Sequence, residues 1–313
     1  MIPSLILTAG MATRLRPLSL VRAKAVLPVA GQPLVRRILM QCRAAGITDA
    51  VLNLHHLPHT ITRVLGDGAE LDMRVRYSWE QPLLGSAGGP RRALPLLDAP
   101  TFLIANGDTL TDADIPSLIA SHQRSGAMVT LAVTRNPNPR KYGGIAASAD
   151  GSMTGVVTAG STETSWHFVG LQVANSESFA SLEYGVPYES VKALYPSLIA
   201  ARPGSVRVHL CEPQFFDIGT PDDYLRTSLL IARSEGVSCH GRRPRIHDTA
   251  RVTDSVLWDD VEVGAGATLH ECIVTDGVRV PQGTSWNRVT MRVADEDLAS
   301  CEDRVGDVAV ASL

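Results

Sequence analysis

The chain has 313 residues, 44% of them hydrophobic, with a formal net charge of −3. That length can bury a full core and exceeds the usual single-domain size, so one large domain or two are expected. The charge balance offers no basic field for nucleic acid, and no apolar run approaches membrane-spanning length. No basic segment followed by a long apolar run opens the chain, and its five cysteines (Cys42, Cys211, Cys239, Cys272, Cys301) form no C-x-x-C pair. Reduced thiols in a cytoplasm are the expectation, not a disulfide frame or a zinc site.

In chain order, Leu5–Leu7 reads as a buried strand that ends in a small-residue turn, Thr8-Ala9-Gly10-Met11-Ala12-Thr13. Arg14 follows at once and Lys24 ten residues later. Small residues let backbone N–H groups approach an anion, and two cations beside them add charge, so the turn suits a polyphosphate. It has neither the P-loop pattern nor the three spaced glycines of a dinucleotide fingerprint. Pro33–Ala45 reads as a helix stopped by Gly46, and Ala50–Leu54, Arg74–Ser78 and Thr101–Asn106 as strands. Ile115–Ser125 reads as a helix stopped by Gly126, and Met128–Val133 as a further strand. This alternation predicts an α/β fold with a mainly parallel sheet covered on both faces. Ligands of such sheets sit beyond the carboxyl ends of the strands, where both the Gly10 turn and Asp108 fall.

Asp108 closes the run Phe102–Asn106 in Asn106-Gly107-Asp108. A carboxylate there, beside a glycine, suits a hard cation, and it equally suits a turn or helix cap. His55, His56 and His59 match no standard metal spacing and read as strand-end or loop residues. Residues 236–245, GVSCHGRRPR, have no periodicity and read as a linker whose arginines are solvated. Beyond it, Val252–Thr268 aligns with Leu269–Ser285 at a period of 17. Ile246, Val252, Leu257, Val263, Leu269, Val274, Val280 and Trp286 recur every five or six positions, as the inward residues of a triangular coil would. So few coils need something to pack on, either the first domain or a second subunit, and a homo-oligomer is expected.

Gly10-Met11-Ala12-Thr13-Arg14-Leu15-Arg16-Pro17-Leu18-Ser19, with Ala23-Lys24-Ala25-Val26-Leu27-Pro28-Val29, resembles the signature of the sugar-1-phosphate nucleotidylyltransferases. That family joins a nucleoside triphosphate to a sugar 1-phosphate and releases pyrophosphate. The resemblance implies a Rossmann-like sheet of the nucleotide-diphospho-sugar transferase type followed by a short left-handed parallel β-helix. It divides the chain into a catalytic domain over 1–235, a linker over 236–245, a β-helix over 246–290 and a tail over 291–313 that is left unassigned. It implies Arg14 and Lys24 as catalytic cations, and Ala9, Gly10, Met11, Ala12 and Thr13 as the phosphate turn. Asp108 in N-G-D and Asp217 in Phe215-Phe216-Asp217-Ile218-Gly219-Thr220-Pro221 would be the ligands of a Mg²⁺ cofactor. Gly85, Ser86 and Gly88 would belong to a backbone loop lining the nucleobase, and Glu80 would read the base. Tyr142, Gly143 and Gly170 would approach the sugar.

A carboxylate at position 80 can accept from N1–H and the N2 amino group of guanine, whereas an amide suits uracil or thymine, and Gln81 lies one residue away. The implied reaction is therefore nucleotidyl transfer with GTP slightly favoured and a mannose 1-phosphate-like acceptor. UTP or dTTP is the alternative. A non-catalytic nucleotide-sugar-binding regulatory subunit is the rival from another class. It is motivated by Ala12 and Ala23, where the family has glycine and proline, and by Val157–Ser161, which lacks the family's E-K-P lysine. If position 12 needs a positive φ, alanine costs on the order of 1 kcal/mol there. The implied partners are a nucleoside triphosphate and a sugar 1-phosphate, with no nucleic acid and no membrane.

Overall fold

The computed structural model describes residues 2–313. Contacts divide the chain into two compact units that alternate along it. The first takes the stretch to Gly10, Ile38–Pro58 and Leu65–Phe216, and the second takes Met11–Arg37, His59–Val64 and Asp217–Leu313.

The first unit is built on a nine-stranded sheet. Strands β1 (Ser4–Leu7), β2 (Asp49–Leu54), β3 (Arg74–Trp79) and β4 (Thr101–Asn106) run parallel in the order β4-β1-β2-β3. Leu5, Ile6, Val51, Leu52, Phe102, Leu103 and Ile104 are fully buried, as continuous apolar runs in a parallel sheet must be. After β5 (Thr109–Thr111) come β6 (Val129–Arg135), β7 (Gly144–Ala147), β8 (Met153–Val157), β9 (Trp166–Asn175) and β10 (Val206–Leu210). Here β9 runs antiparallel to β4, β6 and β7, β8 antiparallel to β7, and β10 parallel to β6. The expected parallel sheet is thus present, extended after Thr109 by strands that reverse direction. β5 stands outside this sheet and pairs with β11 (Phe215–Asp217).

Helix α1 (Leu34–Ala44) falls where the sequence predicts it. Helix α2 (Gly85–Leu97) packs on β1, β2 and β3, although its first turn reads as a loop in sequence. Three glycines and two prolines in its 13 residues hide it. Gly88 and Gly89 are nevertheless required, because a Cβ on either would meet the Val186 carbonyl or the Glu80 carboxylate at 2.6 Å. Helix α3 (Ile115–Ser125) keeps its predicted bounds. The Asp114 carboxylate caps it by accepting from the Ser117 N–H, and Gly126 ends it at φ 61°.

The second unit is organised around a short parallel β-helix. Three stacks of short strands repeat: Arg245–Ile246, Glu262–Val263 and Arg279–Val280; Arg251–Thr253, Thr268–His270 and Ser285–Asn287; Val256–Leu257, Ile273–Val274 and Val289–Val293. Each register joins residues 17 apart, such as Val252 to Leu269 and Leu269 to Trp286. The eight residues expected inside all line one apolar cluster with Val261, Ala267, Cys272 and Val278. The tail left unassigned in sequence closes this unit. Val308–Ser312 pairs antiparallel with Val289–Val293 and with Asp303–Val305. A buried ion pair, Arg292 Nε to Glu302 Oε1 at 2.7 Å, fastens the intervening loop.

Helix α4 (Pro221–Glu235) packs against Val256–Leu257 and against Pro28–Val29. It is capped by Thr220, whose Oγ1 accepts from the Asp223 N–H, and Pro221 fills the first helical position. The turn Leu18–Val21 packs on Val289–Val293. Among the described residues no helix is long and apolar enough to cross a membrane.

Candidate functional site

Beyond β1 the chain enters the small-residue turn. Ala12 adopts the left-handed conformation at φ 47°, ψ 43°, and Thr13–Leu15 then forms a 3₁₀ turn. Position 12 is therefore one that favours glycine, and alanine there costs on the order of 1 kcal/mol. Gly10 is exposed, and a Cβ on it would meet nothing within 4 Å, so the turn's outer side is open. Met11, Thr13 and Arg14 are exposed as well.

In the second unit, two motifs two hundred residues apart in sequence meet. A Cβ on Gly219 would lie 3.4 Å from Arg14 Nη1 and 3.5 Å from Asp223 Oδ2. The bare glycine lets the Arg14 guanidinium lie against the Asp217–Thr220 segment. Lys24 opens a 3₁₀ turn, Lys24–Val26, amid the buried residues Ala23, Ala25, Val26 and Leu27.

In the first unit, Asp108 is half-buried in the turn between β4 and β5. The Thr109 hydroxyl donates to Asp108 Oδ1 at 3.1 Å. Gly107 allows this turn to press on the end of β1, since its N–H donates to the Leu7 carbonyl and a Cβ would meet that oxygen at 2.6 Å. Gly170, at φ 83°, sits opposite, where a Cβ would meet Asn106 and Thr109 at 3.2–3.3 Å. Its lack of a side chain thus makes room for the turn that carries Asp108. Asp217 ends β11, the strand that pairs with β5. Both aspartates offer oxygen donors, the set a hard divalent cation takes, and Mg²⁺ is commonly held by one or two carboxylates plus substrate phosphates. Among the described residues no cluster of three or more His, Cys, Asp and Glu has metal-binding geometry.

Glu80 has an environment the sequence does not reveal. It is 4% exposed, and both carboxylate oxygens accept hydrogen bonds from the protein. Asn53 Nδ2 donates to Oε1 at 2.7 Å and the Leu84 N–H to Oε2 at 2.9 Å. Asn53 Oδ1 in turn accepts from the Thr8 N–H at 2.6 Å. One buried chain of hydrogen bonds therefore joins the end of β1, β2 and the start of α2. Gln81, beside it, is exposed. Gly85, Ser86 and Gly88 are likewise engaged within the protein. The Tyr188 carbonyl accepts from the Ala87 and Gly88 N–H groups, and the Ser86 hydroxyl donates to Glu189 Oε2 at 2.8 Å.

Tyr142 and Gly143 lie in a turn that backs onto 157–159, where a Cβ on Gly143 would meet the Val157 carbonyl at 2.9 Å. The Tyr142 ring stacks obliquely on His167, with centroids 5.1 Å apart, and His167 on Phe215 at 4.8 Å. This aromatic row leads into β11. Asn53 and His167 belong to none of the motifs quoted above, and their position on strands is the only partial signal.

Residues 3–234 match the profile of the family described as Nucleotidyl transferase, and residues 236–287 that described as GlmU-like, C-terminal hexapeptide. The chain is 28% identical to the mannose-1-phosphate guanylyltransferase of Mycobacterium tuberculosis, over 90% of this chain and 82% of that one. It is 35% identical to the N-acetylmuramate alpha-1-phosphate uridylyltransferase of Neisseria meningitidis, over 62% of this chain and 83% of that one. The crystal structure of HddC from Yersinia pseudotuberculosis complexed with GMP-PN shares the fold, with a TM-score of 0.65 at 20% identity over 74% of this chain and all of that one. The chain belongs to the nucleotidyl transferase family and is an enzyme of its sugar-1-phosphate nucleotidylyltransferase class.

Proposed function

We propose that the protein makes a GDP-sugar from GTP and a mannose 1-phosphate-like acceptor by in-line displacement at the α-phosphorus. The observation that carries the reaction is the meeting of Arg14 with the Gly219 segment, because it joins a phosphate-binding cation to the motif bearing Asp217. A sugar-phosphate oxygen attacks the α-phosphorus and pyrophosphate leaves. Both reactants are anions, so the work is charge neutralisation and alignment. Arg14 binds the leaving β and γ phosphates together with the N–H groups of residues 10–13. Lys24 lies across the α-phosphate and the incoming phosphate. Ala9 shapes the start of the turn, and Tyr142, Gly143 and Gly170 border the sugar. Asp108 and Asp217 would hold Mg²⁺, which would neutralise phosphate charge and help orient the reactants.

The guanylyl assignment draws support from the Mycobacterium tuberculosis relative, whose likeness runs through most of the chain, β-helix included. One observation favours a second reading, UTP or dTTP. Glu80 is buried and accepts from Asn53 and the Leu84 N–H, whereas the neighbouring Gln81 amide is exposed and would be the one to face a base. The test is pyrophosphate release from the purified protein with Mg²⁺, each common nucleoside triphosphate and a panel of sugar 1-phosphates. Release with GTP and mannose 1-phosphate is the expected result. Release with UTP or dTTP alone replaces it by the second reading, and silence across the panel overturns both.

A further inference from the structure

The stretch that carries Lys24 is held within the second unit at both ends, at its start by the coils and at its end by a residue of α4 that is bonded to them. At its start, the Arg22 guanidinium donates from Nε to Asp276 Oδ2 at 2.7 Å and from Nη2 to Asp276 Oδ1 at 2.6 Å and Asp259 Oδ2 at 2.9 Å. The same guanidinium lies over the Trp258 ring, 5.1 Å from its centroid. At its end, Tyr224 Oη donates to the Pro28 carbonyl at 2.6 Å and accepts from Trp258 Nε1 at 2.9 Å. Trp258 and Tyr224 are fully buried. Asp259 and Asp276 occupy equivalent places on successive coils, and the Asp259 N–H donates to Asp276 Oδ1 at 3.1 Å.

A planar guanidinium held by two carboxylates and an aromatic face has one orientation, unlike a solvated cation. Burial makes this grip costly to disturb, because removing one partner strands the other charge. Lys24 is two residues from that anchor, so its Cα can be no more than about 7 Å from that of Arg22. We propose that the β-helix, together with the α4 residue bonded to it, is the positioning element for Lys24: Arg22 on Asp276 and Asp259, and Pro28 on Tyr224 with Trp258 behind it, fix the backbone from which the lysine reaches substrate phosphate. Arg22, Tyr224, Trp258, Asp259 and Asp276 are thereby positioning residues, and the coils take part in turnover through the lysine. The proposal rests on the assignment of Lys24 to phosphate contact.

The experiment compares wild type, Asp276→Asn and Tyr224→Phe, each with Lys24 intact and with Lys24→Ala, by steady-state pyrophosphate release. Amide hydrogen exchange of the 23–28 segment is measured alongside at residues 23–27, since Pro28 has no N–H. With Lys24 present, either change lowers kcat roughly 10-fold, the scale of a small misplacement of a reacting group. In the Lys24→Ala background the same changes alter turnover by less than about 2-fold, and the 23–27 amides exchange faster in both variants. Arg243→Ala, which breaks only the exposed pair with Asp260, leaves turnover unchanged. An equal loss in both lysine backgrounds, or unaltered exchange of residues 23–27, overturns the proposal. A wild-type protein silent with every substrate pair overturns the catalytic assignment instead, and the exchange data then decide whether the coils hold the segment.

Discussion

The β-helix and the turn around Glu80 are equally buried and unequally legible. In the coils, one number, the repeat of 17, sets every register, because each coil contacts only its neighbours. Val252, Leu269 and Trp286 stack as their spacing demands. Around Glu80, partners come from β1, β2 and α2, which no local period relates. The first region shows how one-dimensional information survives folding. The second shows that a carboxylate beside a ligand motif can serve the fold before it serves the ligand.

Trp258→Ala tests the coil side most severely. Trp258 is fully buried, packs edge-on to Tyr224 and donates to its hydroxyl. A loss of roughly 3–5 kcal/mol is expected, read from denaturant unfolding. On the site side, Arg14→Ala or Asp108→Asn should lower turnover by about 100-fold or more with the protein still folded, as when one preorganised charge contact is removed. Near-normal pyrophosphate release in either variant would remove that residue from the mechanism.

Glu80→Gln sharpens the contrast directly. Its amide turns a donor toward either Asn53 Nδ2 or the Leu84 N–H, so stability should fall by about 1–3 kcal/mol. The preference between GTP and UTP should stay within about 2-fold of wild type, since a group committed to the fold does not read the base. A switch of nucleotide preference would return Glu80 to the base.

The smallest effect lies away from both regions. Burial holds the His122 imidazole below its ordinary value of 6.5, with Nδ1 at Thr130 Oγ1 and Nε2 at Asn175 Oδ1. The folded state therefore binds the proton less readily than the unfolded one, and the stability this contributes is present above pH 6.5 and drains away as pH falls below it. His122→Gln should lose less Tm than wild type between pH 7 and 5. An identical slope for the two would show that His122 is not the titrating group.

Much of the architecture could be read directly because burial leaves a period. The strands Thr101–Asn106 and Asp49–Leu54 and the helix Ile115–Ser125 lie within a residue of where apolar runs and Gly126 put them. Helix α2 could not, since its glycines and prolines argue against a helix, and only the close approach of Val186 and Glu80 explains them. At the site, the need for a left-handed residue 12 was legible from alanine standing in a glycine motif, and Ala12 has that conformation. The cap by Thr220 was legible as well. The engagement of Ser86 by Glu189 and of Gly170 by Asn106 and Thr109 was not, because these partners lie far along the chain.

The alternation of the two units along the chain bears on how the protein is born. Met11–Arg37 belong with residues 217–313, so the turn and Lys24 are synthesised roughly 200 to 300 residues before the coils of their own unit. At 5–20 residues per second, that wait is on the order of 10 to 60 seconds. During it, the turn Leu18–Val21, whose Leu18 is buried in the finished protein, lacks the strand Val289–Val293 on which it packs. A nascent chain stalled near residue 235 should therefore be a client for chaperones, whereas synthesis through the coils ends that dependence.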